Sequence, residues 1–295
     1  MIRLPETSTT DSDSMTWKKH KLNDGYEIPG LAFGTWRIGR GEVPTSQVRQ
    51  AVAVGVSHID TAQLYRNETE TGVAIQDSKL SREEIFIITK YSRIHGLDIQ
   101  TSIRNSLEYL DVSYVDLYLI HFPRAALPDI PTIWKEMEDI QSNGMTRSIG
   151  ASNFDVDQLT ILLRSARVKP AVNQILLHPY VYTQQLPILE YAAEHQIVIE
   201  AYSVLIPITS LPGGPLDEPL AEISNKHDVT PDQVLLAWTK AKGAVVVTQN
   251  ELQEIAVGRI SQCWRFRQVT PLLSEEDIAA IDAAGAKGPP PKAQR

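Results

Sequence analysis

Cysteine is nearly absent from the sequence, since Cys263 is the single cysteine among 295 residues. One cysteine cannot form an internal disulfide bond, and a chain without disulfides suits a reducing compartment. The sequence also has no run of about 18 apolar residues, the length that a membrane-spanning helix requires. Residues 1–15 lack the apolar stretch of a secretory signal peptide, and we interpret them as a disordered lead-in. These absences predict a cytoplasmic protein without a membrane partner.

Positive charge is also in deficit. The chain has 28 lysine and arginine residues against 36 aspartate and glutamate residues, which gives a formal net charge of -8. A nucleic-acid-binding protein would present a basic face, so nucleic acid is not expected as a partner. Hydrophobic residues make up 42% of the chain, which is enough for a substantial core and excludes a disordered protein.

Short apolar runs recur along the chain and predict strands. Most of their residues are β-branched or aliphatic, and the runs are too continuous for strands with one solvent-facing side. Such runs are typical of a parallel sheet that helices cover on its faces. The predicted strands are Leu31–Thr35, Ser57–Asp60, Phe86–Lys90, Leu117–His121, Ser148–Ala151, Val172–Gln174, Val198–Tyr202 and Val245–Thr248.

The stretches between these runs carry helical periodicity and capping signals. Thr45 is a candidate cap for the first helix, Pro131 and Gly144 fit the start and end of another, and Thr230 opens a capping box followed by Pro231. Eight strands that alternate with helices predict an α/β fold, namely a (β/α)8 TIM barrel of about 250 residues. A doubly wound open sheet is the alternative, because alternation alone does not separate the two architectures.

The domain boundaries follow from composition. No linker and no break in composition divides the chain, so we expect a single barrel domain over residues 16–288. The proline-rich stretch that begins after Gly288 marks a tail, residues 289–295, and not a boundary between domains.

Polar or ionisable side chains lie at the ends of neighbouring predicted strands. Asp60 ends the second strand, Tyr65 follows one short loop later, Lys90 ends the third strand and His121 ends the fourth. In a barrel of this class the active site lies at the carboxyl ends of the strands, so these side chains are expected to meet at one mouth. His58, two residues before Asp60 inside its strand, is interpreted as structural.

This set of residue types suits proton donation to a carbonyl oxygen. A tyrosine with a pKa near 10 is a slow acid at neutral pH. A nearby lysine ammonium group favours the tyrosinate and lowers that pKa, and an aspartate keeps the lysine charged. A histidine beside the phenol can orient the carbonyl group. Any one of these residues alone is more often structural, and it is the four together that favour catalysis.

Several separated motifs strengthen this interpretation, because they occur in an order that resembles the aldo-keto reductases. These motifs are Asp60-Thr61-Ala62-x-x-Tyr65, Thr89-Lys90, Leu119-Ile120-His121, Gly150-Ala151-Ser152-Asn153-Phe154 and Asn173-Gln174. The resemblance runs from about Leu22 to Gly285. The phrases TKYS, VVVT and IDAAGAKGPPP look most like the fungal ketoamide and conjugated-polyketone reductase branch. The family has no G-x-G-x-x-G fingerprint, and this chain has none either.

The resemblance implies a carbonyl reductase that uses NADPH. Hydride would pass to the carbonyl carbon of an aldehyde or ketone while Tyr65 protonates the oxygen as general acid. Lys90 and Asp60 would tune Tyr65, and His121 would orient the carbonyl. The expected partner is therefore a small-molecule carbonyl compound, no metal is implied, and the family default is a monomer.

The resemblance also assigns the rest of the pocket. Ser152, Asn153 and Gln174 would hold the nicotinamide carboxamide, and Tyr202 would stack on the ring. Ser92 stands where several relatives carry tryptophan, which suggests a roomier pocket for larger or flatter ketones. The residues implied for the cofactor are Gly34, Thr35, Asp60, Ser152, Asn153, Gln174, Tyr202, Ser203, Leu205, Thr248 and Arg259. Those implied for the substrate are Trp36, Tyr65, His121 and Phe122.

The segment after the eighth strand departs from the family pattern. Residues 247–254 contain no lysine or arginine to hold an adenosine 2′-phosphate, and they include Glu251 and Glu254, which would repel it. Arg259, with a neighbour such as Arg265, could supply the missing contact. NADPH is the cofactor expected from the family, and NADH stays open.

Two other functions also stay open from sequence alone. A barrel of this kind could keep the cofactor and catalyse a non-redox isomerisation or dehydration in a biosynthetic pathway. It could also be a nicotinamide-sensing regulatory subunit. The intact set of Asp60, Tyr65, Lys90 and His121 favours turnover over sensing.

Overall fold

A computed structural model describes residues 17–248 and 272–291 of the chain. Two short strands form an antiparallel hairpin, and eight parallel strands form a closed barrel. The strands are β1 (Lys19–Lys21), β2 (Glu27–Pro29), β3 (Leu31–Gly34), β4 (His58–Asp60), β5 (Phe86–Tyr91), β6 (Val115–Ile120), β7 (Thr146–Ser152), β8 (Val172–Leu176), β9 (Val198–Tyr202) and β10 (Val245–Thr248).

The last strand, β10, closes the barrel by pairing with β9 on one side and with β3 on the other. Val246 is the register partner of Ala201 in β9 and of Leu31 in β3. The other neighbours follow chain order from β3 to β9. The predicted TIM barrel is therefore confirmed, and the open sheet is excluded because no barrel strand is left as an edge.

The eight predicted apolar runs coincide with the eight barrel strands. Every residue of β5 and β6 is buried, as expected for strands that have side chains inside the barrel and helices outside. The observed bounds differ by a residue or two, so that Thr35 and His121 lie just beyond β3 and β6.

Helices cover the outside of the barrel. They are α1 (Glu42–Ala53), α2 (Glu68–Asp77), α3 (Ile99–Leu110), α4 (Ile130–Ser142), α5 (Val156–Ser165), α6 (Pro179–Glu194), α7 (Ile206–Thr209), α8 (Asp217–His227), α9 (Pro231–Ala241) and α10 (Glu275–Gly285). Single 3₁₀ turns lie at Gln63–Tyr65, Arg82–Glu84, Ile94–Gly96 and Pro123–Ala125.

The helix ends test the capping predictions. Thr230 forms the predicted capping box at the start of α9, and Gly144 adopts a φ of +75° after α4. The prediction for Thr45 was wrong, because α1 begins at Glu42 after Gly41. Thr45 lies inside the first turn, where its hydroxyl donates to the Gly41 carbonyl oxygen over 3.3 Å.

The N-terminal hairpin closes one end of the barrel. Leu22 and Ile28 are buried in one apolar cluster with Phe86, Val172 and Val245, which are the first residues of their strands. The hairpin therefore packs against the amino-terminal ends of the barrel strands. The hairpin was not predicted from the sequence.

Some predicted features fall outside the described residues. These are the lead-in at 1–15, the acidic segment 249–254, Arg259, Cys263 and most of the tail. Within the two described ranges, none of the helices has the length and apolar character needed to cross a membrane.

Candidate active site

A pocket opens at the carboxyl ends of the barrel strands and has a cavity volume of about 340 Å³. Most of the residues predicted from the sequence line this pocket. They are Gly34, Trp36, Asp60, Tyr65, His121, Phe122, Ser152, Asn153, Gln174, Tyr202, Ser203, Leu205 and Thr248. The strands thus bring together side chains that are up to 214 positions apart in the sequence, from Gly34 to Thr248.

An ion pair lies below the pocket and contacts the predicted acid. The Lys90 Nζ atom donates to Asp60 Oδ2 over 2.6 Å and to the Thr61 carbonyl oxygen over 2.9 Å. It also lies 3.4 Å from the phenol oxygen of Tyr65. Lys90 is fully buried, so water does not screen this arrangement.

The charge of Lys90 is maintained by its neighbours. Burial by itself would lower the pKa of Lys90, but the Coulombic attraction of Asp60 and Tyr65 outweighs it and leaves the pKa above its ordinary value. Lys90 is therefore an ammonium group at physiological pH. Asp60 contributes to holding that charge, and its predicted part in catalysis stays a prediction.

Burial also dominates the pKa of Tyr65. It raises the pKa of Tyr65 to about 12, while the charge of Lys90 acts in the opposite direction. The predicted net lowering is wrong for this structure, because desolvation of the phenolate exceeds the attraction of Lys90. The consequence is that Tyr65 stays protonated at every physiological pH. The charge of Lys90 favours the phenolate form of Tyr65 over the neutral phenol.

His121 is a neutral imidazole in this site. Burial, together with the charges of Lys90 and Arg124, lowers the pKa of His121 to about 2. The His121 ring meets the Tyr65 ring edge to face at a centroid distance of 5.6 Å. A neutral imidazole can donate one N–H to a carbonyl oxygen, as the predicted orienting role requires.

A hydrogen bond with Ser92 couples the tautomer of His121 to the orientation of the Ser92 hydroxyl group. The Ser92 hydroxyl lies 2.7 Å from His121 Nδ1, and both side chains are buried. When the hydroxyl donates to Nδ1, the ring hydrogen is on Nε2, which is free to face a substrate oxygen. The Ser92 side chain does not itself line the pocket, and the suggested effect of a serine here on pocket width stays a prediction.

Substituting Ser92→Ala is expected to lower kcat about tenfold, because one buried hydrogen bond that holds the catalytic ring is lost. Steady-state kinetics with a fixed aldehyde would measure the effect. Ser148→Ala is the matched control, since the buried Ser148 hydroxyl has no hydrogen-bond partner in the described part of the chain. Equal kcat values in the wild type and Ser92→Ala would remove the proposed role of Ser92.

A second network holds the opposite wall of the pocket. The Tyr202 hydroxyl donates to Asn153 Oδ1 over 2.7 Å, and Asn153 Nδ2 donates to Ser152 Oγ and to the His121 carbonyl oxygen, each over 3.0 Å. Ser152 Oγ in turn donates to the Gln174 carbonyl oxygen. These contacts fix Tyr202 with its ring as part of the pocket wall.

Gln174 provides a test of whether the pocket fits a nicotinamide. Its amide nitrogen donates to Asp60 Oδ2 and to Glu200 Oε2, each over 2.7 Å. No donor to its amide oxygen occurs among residues 17–248 and 272–291, and Gln174 lines the pocket beside Tyr202. An aromatic wall next to an uncommitted amide acceptor fits the ring and the carboxamide NH2 group of a nicotinamide.

Thr35 and Arg259 are not found in the pocket lining. Thr35 is buried, and its hydroxyl bonds to Thr61 Oγ1 and Asn67 Oδ1 over 2.9 and 3.2 Å. The Thr35 side chain is therefore committed within the protein, and its predicted cofactor contact is not made through its hydroxyl group. Arg259 lies outside the described residues, so its predicted role stays a prediction.

Sequence reasoning missed two charged residues of the site. Arg124 lines the pocket, and its guanidinium carbon lies 4.2 Å from the ring centroid of Phe122. Glu200 is fully buried under Gln174. The sequence did contain an indication of Glu200, because it is an acidic residue inside the apolar run Val198–Tyr202. It lies two positions before Tyr202 and so on the same face of the strand. The missed apolar lining residues are Leu64, Val204 and Val247.

Within the described ranges, no group of three or more His, Cys, Asp or Glu residues is placed to hold a metal ion.

A family profile and the most similar curated proteins indicate the same family for this chain. A family profile described as "Aldo/keto reductase family" matches residues 30–286. The "NAD/NADP-dependent indole-3-acetaldehyde reductase" of Schizosaccharomyces pombe is 33% identical over 275 residues, which is 89% of this chain and 94% of that protein. The "Methylglyoxal reductase DkgA" of Escherichia coli is 34% identical over 275 residues, covering 92% of this chain and 96% of that protein.

Solved structures agree with these relatives. The crystal structure of an aldo/keto reductase from Brucella melitensis matches with a TM-score of 0.78 and 33% identity, covering 91% of this chain and 100% of that chain. The crystal structure of a silkworm aldo-keto reductase matches with a TM-score of 0.80 and 29% identity, covering 91% of this chain and 87% of that one.

Proposed function

The chain belongs to the aldo/keto reductase family, and we propose that Tyr65 is the general acid with which it reduces aldehydes and ketones. It is an NAD(P)H-dependent oxidoreductase that acts on carbonyl groups. The observation that carries the residue roles is the contact of buried Lys90 with both Asp60 and Tyr65 at the floor of the pocket. Nothing favours a non-redox enzyme or a sensing subunit.

Tyr65, Lys90 and His121 have different proposed roles at the substrate oxygen. Tyr65 donates its proton to the oxygen as negative charge develops, and Lys90 stabilises the phenolate that results. His121 donates from Nε2 to the same oxygen and so orients the carbonyl group. When bound, the reduced nicotinamide supplies the hydride for the carbonyl carbon. Proton donation of this kind contributes about 10²–10⁴ to the rate.

We also propose how the pocket is shared between cofactor and substrate. Gln174 would accept a hydrogen bond from the carboxamide NH2 group, and Tyr202 would lie against the nicotinamide ring. Trp36, which packs against the Tyr65 ring at a centroid distance of 4.9 Å, would cover the substrate together with Phe122. The resemblance to the fungal ketoamide branch stays a prediction.

NADPH is the proposed cofactor, with NADH as a second one. The acidic segment after β10 and Arg259 lie outside the described residues, so the preference rests on the family. The Schizosaccharomyces pombe relative is named as dependent on NAD or NADP. A single barrel domain over residues 16–288, a cytoplasmic location and a monomeric state are further parts of the proposal, supported by the match over residues 30–286 and the single cysteine.

Oxidation of NADPH and NADH with methylglyoxal and with benzaldehyde tests the proposed function. We expect absorbance at the nicotinamide band to fall with at least one aldehyde, and faster with NADPH. Activity with NADH alone would overturn the cofactor proposal. Binding of both cofactors without turnover of any carbonyl compound would contradict the proposed reaction.

Arg124 is expected to favour substrates that carry an anionic group. Its guanidinium stacks on Phe122, which itself stacks on His121 at a centroid distance of 4.6 Å, and it has no acidic partner in the described part of the chain. Arg124→Gln is predicted to raise KM for 4-carboxybenzaldehyde about fivefold and to leave KM for benzaldehyde unchanged. The exposed Arg164→Gln serves as control, and equal effects on both aldehydes would contradict the prediction.

A further inference from the structure

Glu200 is a fully buried carboxyl group beneath the active site that proton donation by Tyr65 does not use. It lies in β9 and has no exposed surface, and the same is true of His58 in β4. Glu200 Oε2 accepts a hydrogen bond from Gln174 Nε2 over 2.7 Å. Glu200 Oε1 lies 3.6 Å from His58 Nε2, and neither atom has a hydrogen-bond partner within residues 17–248 and 272–291.

The positions of the hydrogens on the His58 ring indicate the protonation state of Glu200. His58 Nδ1 lies 3.0 Å from the Pro29 carbonyl oxygen, which can only accept, so Nδ1 carries a hydrogen. Burial lowers the pKa of His58 to about 3, so the ring is neutral and Nε2 presents a lone pair to Glu200. A carboxylate facing that lone pair would leave two acceptors without a hydrogen between them. A protonated, neutral Glu200 removes this repulsion between a carboxylate and a lone pair.

The second carboxyl group of the cluster leads to the same conclusion. Gln174 Nε2 donates to both Asp60 Oδ2 and Glu200 Oε2, so one amide nitrogen bridges two carboxyl groups. Asp60 is paired with Lys90, whereas Glu200 has no cation in contact. Two carboxylates this close in a buried place repel each other, and one of them binds a proton. The unpaired carboxyl, Glu200, is the one that does so.

The two donated hydrogen bonds also fix the direction of the Gln174 amide. Both amide hydrogens point to carboxyl oxygens below the pocket, and the amide group is planar. Its oxygen therefore faces away from Asp60 and Glu200, on the pocket side. If the Glu200 contact is lost, one amide hydrogen loses its partner, and the amide is no longer held against rotation.

We propose that Glu200, as a neutral carboxylic acid backed by His58, is a positioning residue that keeps the Gln174 amide oxygen turned toward the nicotinamide carboxamide. This inference rests on the proposed function, because it needs a nicotinamide in the pocket. Glu200 itself contacts neither cofactor nor substrate. Its effect is on cofactor affinity and passes through Gln174.

The cluster also predicts how stability depends on pH. Burial and the charge of Asp60 raise the pKa of Glu200 to about 8, against the opposing effects of Gln174 and Lys90. His58 and Asp60 from β4, Lys90 from β5 and Gln174 from β8 are the polar groups that face it. The folded state binds a proton at Glu200 that the unfolded state releases above about pH 4.3. Folding stability from this group therefore declines as pH rises toward 8.

Glu200→Gln and Glu200→Leu distinguish the neutral acid from its alternatives. A glutamine at this position is neutral, as the protonated acid is; it can accept from Gln174 with its oxygen and turn its NH2 group toward His58. We expect NADP+ to bind Glu200→Gln within about twofold of the wild type and to bind Glu200→Leu about tenfold more weakly, by isothermal titration calorimetry. Glu138→Gln is the matched control, because Glu138 is a buried carboxylate bonded to Arg167 far from the pocket.

A second readout does not require cofactor or the leucine variant. Between pH 6.5 and 8 the Tm of the wild type should fall relative to that of Glu200→Gln, since only the wild type loses a proton on unfolding there. A parallel pH dependence of the two Tm values would overturn the proposal. So would NADP+ binding that is weakened equally in both variants, or unchanged in Glu200→Leu. Absence of NADP+ binding to the wild type would instead contradict the proposed function.

Discussion

Tyr65→Phe is expected to lower kcat for carbonyl reduction by about 10²–10⁴, because the substrate oxygen loses its proton donor. The phenyl ring fills the same space against Trp36, so the pocket keeps its shape. The affinity for NADP+ should therefore stay within about twofold of the wild type. Steady-state kinetics and calorimetric titration on the same preparation measure the two quantities.

A combined loss of NADP+ binding and turnover in Tyr65→Phe would show a damaged pocket and not a missing acid. A variant that keeps most of its kcat would exclude Tyr65 as the proton donor. Tyr118→Phe is a suitable control, since the buried Tyr118 hydroxyl contacts Ser102 and takes no part in the pocket.

Lys90→Met is expected to reduce kcat by a similar factor, through loss of the charge that stabilises the Tyr65 phenolate. It also leaves Asp60 buried without its cation, which costs about 3–5 kcal/mol of folding stability. Oxidation of the alcohol product requires Tyr65 to accept a proton, so in the wild type its rate should rise with pH toward the Tyr65 pKa of about 12. In Lys90→Met this rise should move to still higher pH.

The pH profile separates an electrostatic role of Lys90 from a structural one. Lys242→Met is the control, because Lys242 forms an ion pair with Asp282 over 2.6 Å on the outside of the barrel. It should lose stability but keep the wild-type kcat and profile. If Lys90→Met folds and shows the wild-type dependence on pH, Lys90 does not act on Tyr65.

The barrel could be predicted from the sequence because the amino-acid composition of its strands identifies them. Strands such as β5 and β6 are buried on both faces, so they stand out as unbroken apolar runs. The hairpin was missed because β1 and β2 each have three residues and carry charged side chains at Lys19 and Glu27. Strands of three residues are too short to show a detectable alternation of apolar and polar side chains.

The meeting of Asp60, Tyr65, Lys90 and His121 at one pocket could be predicted because they lie at or near successive strand ends and match family motifs. The roles of Ser92 and Glu200 could not, since each depends on a partner in another strand. Ser92, just after β5, faces His121, just after β6, and Glu200 faces His58 and Gln174 across the barrel interior. Only the closed geometry shows these contacts.

The pKa of Tyr65 is a third feature, after the contacts of Ser92 and Glu200, that depends on the three-dimensional structure. The sequence identified the lysine that lowers it, and Lys90 does lie 3.4 Å from the phenol. The opposing effect is the desolvation of the phenolate, which depends on how completely the pocket buries Tyr65. The sequence carries no measure of that burial, so the sign of the net shift could not be predicted.

Transfer of deuterium from NADPH that carries deuterium at both C4 positions of the nicotinamide tests the central claim most directly. The protein is incubated with labelled cofactor and benzaldehyde, and the alcohol is analysed by mass spectrometry and NMR. The account predicts one deuterium on the former carbonyl carbon, none from the solvent at that carbon, and a rate at least about a hundredfold lower in Tyr65→Phe. Unlabelled alcohol, or no alcohol despite bound cofactor, would contradict it.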